Sequence, residues 1–341
     1  MKEVAARAGV SIGAVSLALN GRPGVSAATA DRIRAAADDL GWAPNQAAQA
    51  LAGHRHTDTI GLVLTRPARQ LGLEPFYMEF ISGIESVLEQ HSHALLLRLA
   101  RDAAQEIEVQ RDWWKARRIT GSIVVDLRTD DPRVPAMAKL GIPAVAVGHP
   151  DLVADRMPTV WTDDATAIQH AVRYLAVLGH RRIARIGGDP DFGHTAIRTR
   201  AMENTARELG LPPVRTITTD FSGDEGARAT RELLGGPERP TALLYDNDIM
   251  AVAGLSAANG MGLHVPRDVS IVAWDDSQLC RLTRPTLSAL GHDIFGFGAH
   301  AARRLLKIVD RTAVEPGPAQ TPVLTPRGSS GPPPPSPRPP S

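Results

Sequence analysis

Residues 4–21, VAARAGVSIGAVSLALNG, decide how the rest of this 341-residue chain is read. Val4 and Ala8 fall on one helical face, Gly9 breaks the run, and Ser11 stands where a hydroxyl caps the next helix. Val15 and Leu19 then continue an apolar face at i, i+4. Two short helices around a glycine turn make the helix-turn-helix pattern, whose second helix can enter a DNA major groove. The same spacing also describes an ordinary helical hairpin at the end of a larger domain.

The identity of the residues separates these two readings. The stretch resembles the head of the lactose-repressor (LacI-type) family of bacterial transcription regulators, with its signature V-A-x-x-A-G-V-S-x-x-x-V-S-x-x-L-N-G. The resemblance continues through RPGVSAATADRIRAAADDLGWAPNQAAQAL and, more loosely, to about residue 330. It implies an α/β protein: an N-terminal all-α helix-turn-helix head plus a two-lobed periplasmic-binding-protein-like core of doubly wound parallel sheets. The expected divisions are 1–43 for the head, 44–58 for a hinge helix and linker, 59–325 for the effector-binding and dimerisation core, and 326–341 for a Pro-rich disordered tail.

Composition sets the outer bounds. The length suits two or three domains with a large core, and 43% hydrophobic with 22% charged residues is that of a soluble globular protein. A net charge of +1 does not by itself mark a nucleic-acid binder. One cysteine, Cys280, excludes an internal disulfide and fits a reducing cytosol. With neither a signal peptide nor an 18-residue apolar run, the expected location is cytoplasmic and not membrane-bound.

In the head, helix one starts at or just after Met1 without a capping residue, which implies either an upstream start or a frayed first turn. Helix two, about 11–19, is the reader, with Ser11, Ile12, Gly13, Ser16 and Leu17 on its solvent face. None of these is the Arg, Lys, Asn or Gln that ordinarily makes bidentate base contacts, and relatives carry Arg or a larger polar residue near Gly13 and Leu17. Ile12 and Leu17 suit thymine methyls, and the serines suit phosphates or base edges. Gly13 costs helix stability, ~1 kcal/mol relative to Ala, but permits close backbone approach. The alternative is that all five are simply exposed. Helix three, about 26–40, starts at a Ser26 cap and turns Ile33, Ala37 and Leu40 inward, while Arg22, Arg32 and Arg34 are placed to reach phosphates. Residues 1–58 hold six Lys and Arg against five Asp and Glu, so nonspecific affinity should be weak and a homodimer on a near-palindromic double-stranded operator should compensate.

APNQAAQALAGHRH, residues 43–56, is the second distinctive piece. Pro44 ends one helix and Asn45 can cap a short one that is marginal alone in water. The resemblance implies a hinge helix that forms when two copies pair in the minor groove, with Asn45, Gln49 and Leu51 on the DNA and Leu51 as the wedge. An unstructured linker is the alternative, and the two are compatible if folding is coupled to binding.

Beyond residue 58, strands and helices alternate, which argues for parallel sheets. TIGLVL, HALLLRLA, GSIVVDL and GIPAVAVG complete a first half. A second half begins at Asp163 and runs through RRIARIGG, TALLYDND and DVSIVAWDD, leaving a cleft at the strands' carboxyl ends. The resemblance carries effector roles onto Arg198, for hydroxyls or carboxylate, although Ala201 stands where relatives usually have glycine. It also carries them onto Asn247 and Asp275 as a polar pair, Phe76 and Phe221 as walls, and His292 beside the pocket where Gln is usual. Such a set suits a small polyol or sugar. Asn247 and Asp275 also suit a plain structural role as turn residues.

The end of the chain, from Pro316, holds eleven of the 27 prolines; PVLTPRGSS reads as finishing the core and crossing back over it, and GPPPPSPRPPS as a disordered extension or a partner-docking motif. No Walker A, G-x-S-x-G, G-x-G-x-x-G or HExxH motif occurs, and the pairs Asp163/Asp164 and Asp275/Asp276 lack a nucleophile–base pattern. The expectation is a non-enzyme with no cofactor and no metal: an effector-controlled, DNA-binding repressor. The alternative is an effector-binding module with lost or altered operator binding. The sequence names neither the effector nor the operator.

Overall fold

The structure is a computed structural model, describing residues 1–19, 23–42, 58–67, 71–72, 74–313 and 320–335. The chain divides into two compact units, Met1–Thr57 and Asp58–Ser341.

In the first unit, α1 (Lys2–Ala8) starts without a side-chain cap and stops at Gly9, whose φ of 62° few other residues adopt. Ser11 Oγ accepts from Ala14 N (3.1 Å) and opens α2 (Ile12–Leu19). Ser26 Oγ accepts from Thr29 N (3.3 Å) and opens α3 (Ala27–Asp39). The three helices share a small core of Val4, Ala8, Val15, Ala18, Ile33 and Ala37. Its alanines let the helices approach closely but bury little area, so each larger side chain matters. Leu40, expected on the inner face of α3, is 42% exposed instead. The helix stops at Asp39, so the i, i+7 continuation from Ile33 does not hold.

The second unit has two lobes. The first holds a wholly parallel sheet in the order β2-β1-β3-β4-β5, built from β1 (Thr59–Leu64), β2 (Ala94–Leu99), β3 (Gly121–Val124), β4 (Ala144–Val147) and β5 (Thr159–Val160). Alternation on β1 shows the layering: Ile60, Leu62 and Leu64 face α4 (Pro75–Gln90), whereas Val63 faces Trp113 of α5 (Ala103–Lys115). Val134 and Met137 of α6 (Arg133–Leu140) cover the latter side of β3 and β4. The chain then enters the second lobe with α7 (Asp164–Val177), β6 (Ile183–Gly187), α8 (Gly193–Glu208), β7 (Arg215–Thr218), α9 (Gly223–Gly235), β8 (Ala242–Tyr245), α10 (Asp248–Gly260), β9 (Ser270–Trp274), α11 (Gln278–Leu282) and β10 (Ser288–Gly291). Its sheet order is β11-β10-β9-β8-β6-β7, in which only β11 (Val323–Thr325) is antiparallel.

Two sequence expectations need correction here. The first half is not complete at β4. The helix α12 (Ile294–Val309) returns from the second lobe, and Phe297, Ala301 and Leu305 pack into the first lobe's core. Gly83 of α4 and Gly298 of α12 make this possible, because a side chain on either would collide with the carbonyl of Phe295 or Phe80 on the facing helix. The chain therefore crosses between lobes three times.

Nor does the core stop at residue 325. Ser329 is fully buried, with its Oγ donating to Ile271 O (2.6 Å) and accepting from Ser288 N (2.7 Å). Arg327 grips Asp276 with both terminal nitrogens (2.6 and 2.7 Å). Gly331 exchanges hydrogen bonds with Ser270 (3.0 Å each way). Residues 326–335 thus belong to the packed unit, because serine and glycine among the prolines supply hydrogen bonds that composition conceals. The rest of the tail, residues 336–341, lies outside the described residues.

Candidate functional site

Between the two lobes lies a cleft enclosing about 130 Å³, at the carboxyl ends of both sheets. All six residues carried over by resemblance line it: Phe76, Arg198, Phe221, Asn247, Asp275 and His292.

Arg198, on α8, is held entirely by the second lobe. Its Nε donates to Asp164 (2.8 Å), Nη1 donates to Asp246 O (3.3 Å), and the guanidinium lies 3.5 Å over the Trp274 ring. Nη2 has no hydrogen-bond partner among the described residues. Asp246 is itself locked by Arg185 (2.6 and 2.8 Å), a pair with no exposure at all.

Asn247 caps α10, its Oδ1 accepting from Met250 N (2.9 Å). Its amide donates to Phe221 O (2.9 Å) and, across the cleft, to Glu74 Oε1 (3.1 Å). A ligand that uses this amide must therefore replace Glu74. Phe221 has a φ of 68°, unusual for an aromatic residue, and its ring occupies the space that a side chain on Gly188 would fill. Asp275 (φ 82°) follows directly after β9, fixed by its N donating to Leu290 O (2.8 Å), and its carboxyl has no partner among the described residues. Burial and then the nearby Asp248 push that carboxyl well above the usual range. His292 follows β10. Both its ring nitrogens are buried without a partner, and burial lowers its pKa to about 4, so the ring is neutral. Phe76 stacks on Phe80 (5.9 Å) at the start of α4.

Sequence reasoning missed the first lobe's polar wall. Arg66 Nε donates to Asp126 (3.0 Å) and to Tyr77 Oη (2.9 Å), and Tyr77 Oη donates to Asp126 (2.6 Å). Burial alone would push the Asp126 carboxyl up, but Arg66 and then Tyr77 hold it down to about 2. The loop carrying Asp126 is braced from below. Arg133, buried with Glu106 (2.7 Å) and Asp131 (2.6 Å), donates to Asp126 O (2.8 Å). Glu74, just before α4, sits at about 7, raised by burial and only partly countered by Arg66. His194 is lowered to about 4 by burial and by Arg198.

Along one rim the lobes are stitched together. Gly193 N donates to Leu127 O (2.8 Å), Thr129 N to Asp191 O (3.0 Å), and Arg128 pairs with Asp189 (3.3 Å) and Asp191 (3.4 Å). Arg66 and Arg128 flank the Phe192 ring at 4.6 and 4.5 Å, and Arg66 also lies 4.8 Å over Phe221.

In the head, Ser11, Ile12 and Gly13 are exposed, Ile12 at 46%. Ser16 and Leu17 are half-buried, which narrows the expected solvent face. Leu17 neighbours the buried Ala18 and packs over Gly24, where a built Cβ would stand 2.9 Å from Leu17 Cδ1. Arg32 Nε donates to Ala8 O (3.0 Å), capping α1, and Arg34 pairs with Asp31 (2.6 Å) in the open. Arg22, Asn45, Gln49 and Leu51 lie outside the described residues. Among the described residues no helix is long and apolar enough to cross a membrane, and no group of three His, Cys, Asp or Glu is placed to hold a metal.

Comparison with known proteins adds to this geometry. Residues 1–45 match the model of bacterial regulatory proteins of the lacI family, and residues 172–330 match that of a periplasmic binding protein-like domain. The HTH-type transcriptional regulator CelR of Thermobifida fusca is 30% identical over 319 residues, 93% of each chain. The crystal structure of a LacI family transcriptional regulator from Bifidobacterium animalis superposes with a TM-score of 0.75 at 35% identity, over 82% of this chain and 100% of that one. The structure of a CelR–cellobiose complex superposes with a TM-score of 0.71 at 29% identity, over 96% and 98%. The head's helix-turn-helix, the two-lobed core and these relatives together place the chain in the lacI family of bacterial regulatory proteins, as a DNA-binding transcriptional regulator.

Proposed function

We propose that this protein is a cytoplasmic, homodimeric repressor whose affinity for a near-palindromic operator is set by a small sugar in the interlobe cleft. One observation carries the effector half of the reading. Arg198, Asp275 and His292 turn unused hydrogen-bonding atoms onto one cleft walled by Phe76, Phe221 and Trp274. Polar groups converging between aromatic faces suit a polyhydroxylated ring. That a related regulator was solved with cellobiose supports the class of ligand. The cleft is close in volume to engineered cavities of ~150 Å³ that take up benzene, so a single ring fits best.

On DNA, the α2 helices of two copies enter successive major grooves, with Ser11, Ile12 and Gly13 outermost and Ser16, Leu17 and Arg22 beside them, while Asn45, Gln49 and Leu51 of the hinge serve the minor groove. Because no exposed residue of α2 is a bidentate base reader, much of the specificity rests on deformability of the central step. Effector closure of the cleft re-angles the first lobes and alters hinge pairing. About tenfold derepression needs only ~1.4 kcal/mol of differential binding. Asp275 and Asn247 orient the effector, and no residue here acts catalytically.

The weakly polar α2 face also favours a second reading, an effector-binding module with altered operator binding. A quantitative footprint with and without a sugar panel decides between them. Leu51→Ala should weaken operator binding and spare effector affinity, while Asp275→Ala should do the reverse. Binding no duplex more tightly than random DNA would leave only the second reading.

A further inference from the structure

Among the described residues, charges on the cleft wall are balanced with two exceptions. Asp126 is matched by Arg66 (3.0 Å), Asp164 by Arg198 (2.8 Å) and Asp246 by Arg185 (2.6 Å). Glu74 and Asp275 face the same cleft from opposite lobes, and among the described residues neither has a cationic nitrogen within 4.0 Å. Among the described residues, Glu74 accepts a single hydrogen bond, from Asn247 Nδ2, and the Asp275 carboxyl accepts none. The cleft histidines do not make up the difference, since burial keeps His194 and His292 neutral near pH 7 and His149 faces Asp151 (3.4 Å). The two acids also feel each other, for the charge of Glu74 helps push the Asp275 carboxyl up after burial and Asp248 have done so.

A buried carboxylate without a cation is costly, and the protein supplies an arginine for every other acid on this wall. A neutral hexose would satisfy hydrogen bonds but leave the Asp275 carboxyl held towards its protonated form and Glu74 an acid held at about 7. A ligand carrying one ammonium group would balance one carboxylate while the other acid keeps its proton, and aromatic faces such as those of Trp161 and Phe76 favour a cation. The unpartnered nitrogens of His292 and the spare Nη2 of Arg198 then remain for ring hydroxyls.

We propose that the effector is a single-ring amino sugar, its ammonium held by Glu74 and Asp275 and its hydroxyls by His292 and Arg198. This rests on the reading of the cleft as a sugar site. Glu74 is then the residue that selects aminated over neutral rings, displaced from Asn247 when the ligand arrives.

The test is calorimetric titration of the full-length protein near pH 7 with glucosamine, galactosamine and mannosamine, each against its parent hexose and its N-acetyl form. At least one amine should bind about tenfold more tightly than both neutral counterparts. In Glu74→Gln, and in Asp275→Asn as a second variant checked for folding by its melting temperature, that ratio should fall to within about threefold. A neutral sugar that binds as tightly as its amine overturns the inference and leaves the sugar reading standing, as does a ratio that survives in both variants. If no sugar of either kind binds at millimolar concentration, both fall.

Discussion

Two arginines face each other across the cleft, each paired with an aspartate and each lying over aromatic rings, yet they depend on different parts of the molecule. Arg198 takes its carboxylate, its carbonyl and its Trp274 ring from its own lobe. Arg66 takes Asp126 and Tyr77 from its own lobe, but Phe192 and Phe221 from the other. The first arginine is therefore in position whether the lobes are open or shut, which suits a group that meets the ligand first. The second has Tyr77 beside it from its own lobe but meets Phe192 and Phe221 only where the lobes come together. On the proposed function, the first arginine reads the ligand and the second reads the closing.

The strongest challenge to that division is Arg198→Met. Asp164 would be left buried without a counter-charge, so stability should fall by ~3–5 kcal/mol in a denaturant melt. Effector affinity should drop about a hundredfold in the same protein. Normal effector affinity in this variant would move ligand recognition to the Arg66 side.

Glu74→Gln sharpens the comparison through pH. Glu74 is an acid held at about 7 against an ordinary 4.5, so the folded chain binds this proton more tightly than the unfolded chain does. Its contribution is complete below about 4.5 and is lost as the pH climbs through about 7. The variant should flatten the stability–pH curve across that window by ~1–3 kcal/mol. Glu106, also held up at about 7 but beside Arg133, should keep its own share of the slope, with or without effector. An unchanged slope would mean that Glu74 is better solvated than its position beside Asn247 implies.

Arg128→Ala should have the smallest effect. Its pairs with Asp189 and Asp191 are about a third or more exposed and share the rim with two backbone hydrogen bonds, so the loss should be ~0.5–1 kcal/mol of closure. That should appear as about two- to fivefold faster effector release with little change in association rate. A slower association instead would place Arg128 in the encounter and not in the closure.

The same contrast explains what the sequence disclosed. Arg198, Asn247 and Asp275 stand in motifs at strand or helix ends, so resemblance located them and the alternating strands gave them a cleft to face. Arg66 lies in TRPARQLGLEPF, which has no periodicity, and Asp126 is one of several acids in VVDLRTDD; only their meeting across sixty residues gives either a role. The destination of α12 was equally hidden. Its amphipathic face fits either lobe, and the only local signal is Gly298, whose partner Gly83 is more than two hundred residues away. On α2, periodicity set Val15 and Leu19 on the inner face but did not show that Leu17 rests on Gly24.

The stretch after β11 has a practical bearing on anyone who shortens this protein. Arg327 clasps Asp276, the immediate neighbour of Asp275, and Ser329 fastens β9 to β10, from whose ends Asp275 and His292 face the cleft. Trimming at residue 325, as the proline content invites, would unbuckle the loop that carries Asp275 from behind while leaving every proposed ligand contact in the chain. Such a shortened chain would look intact at its binding site and still respond poorly.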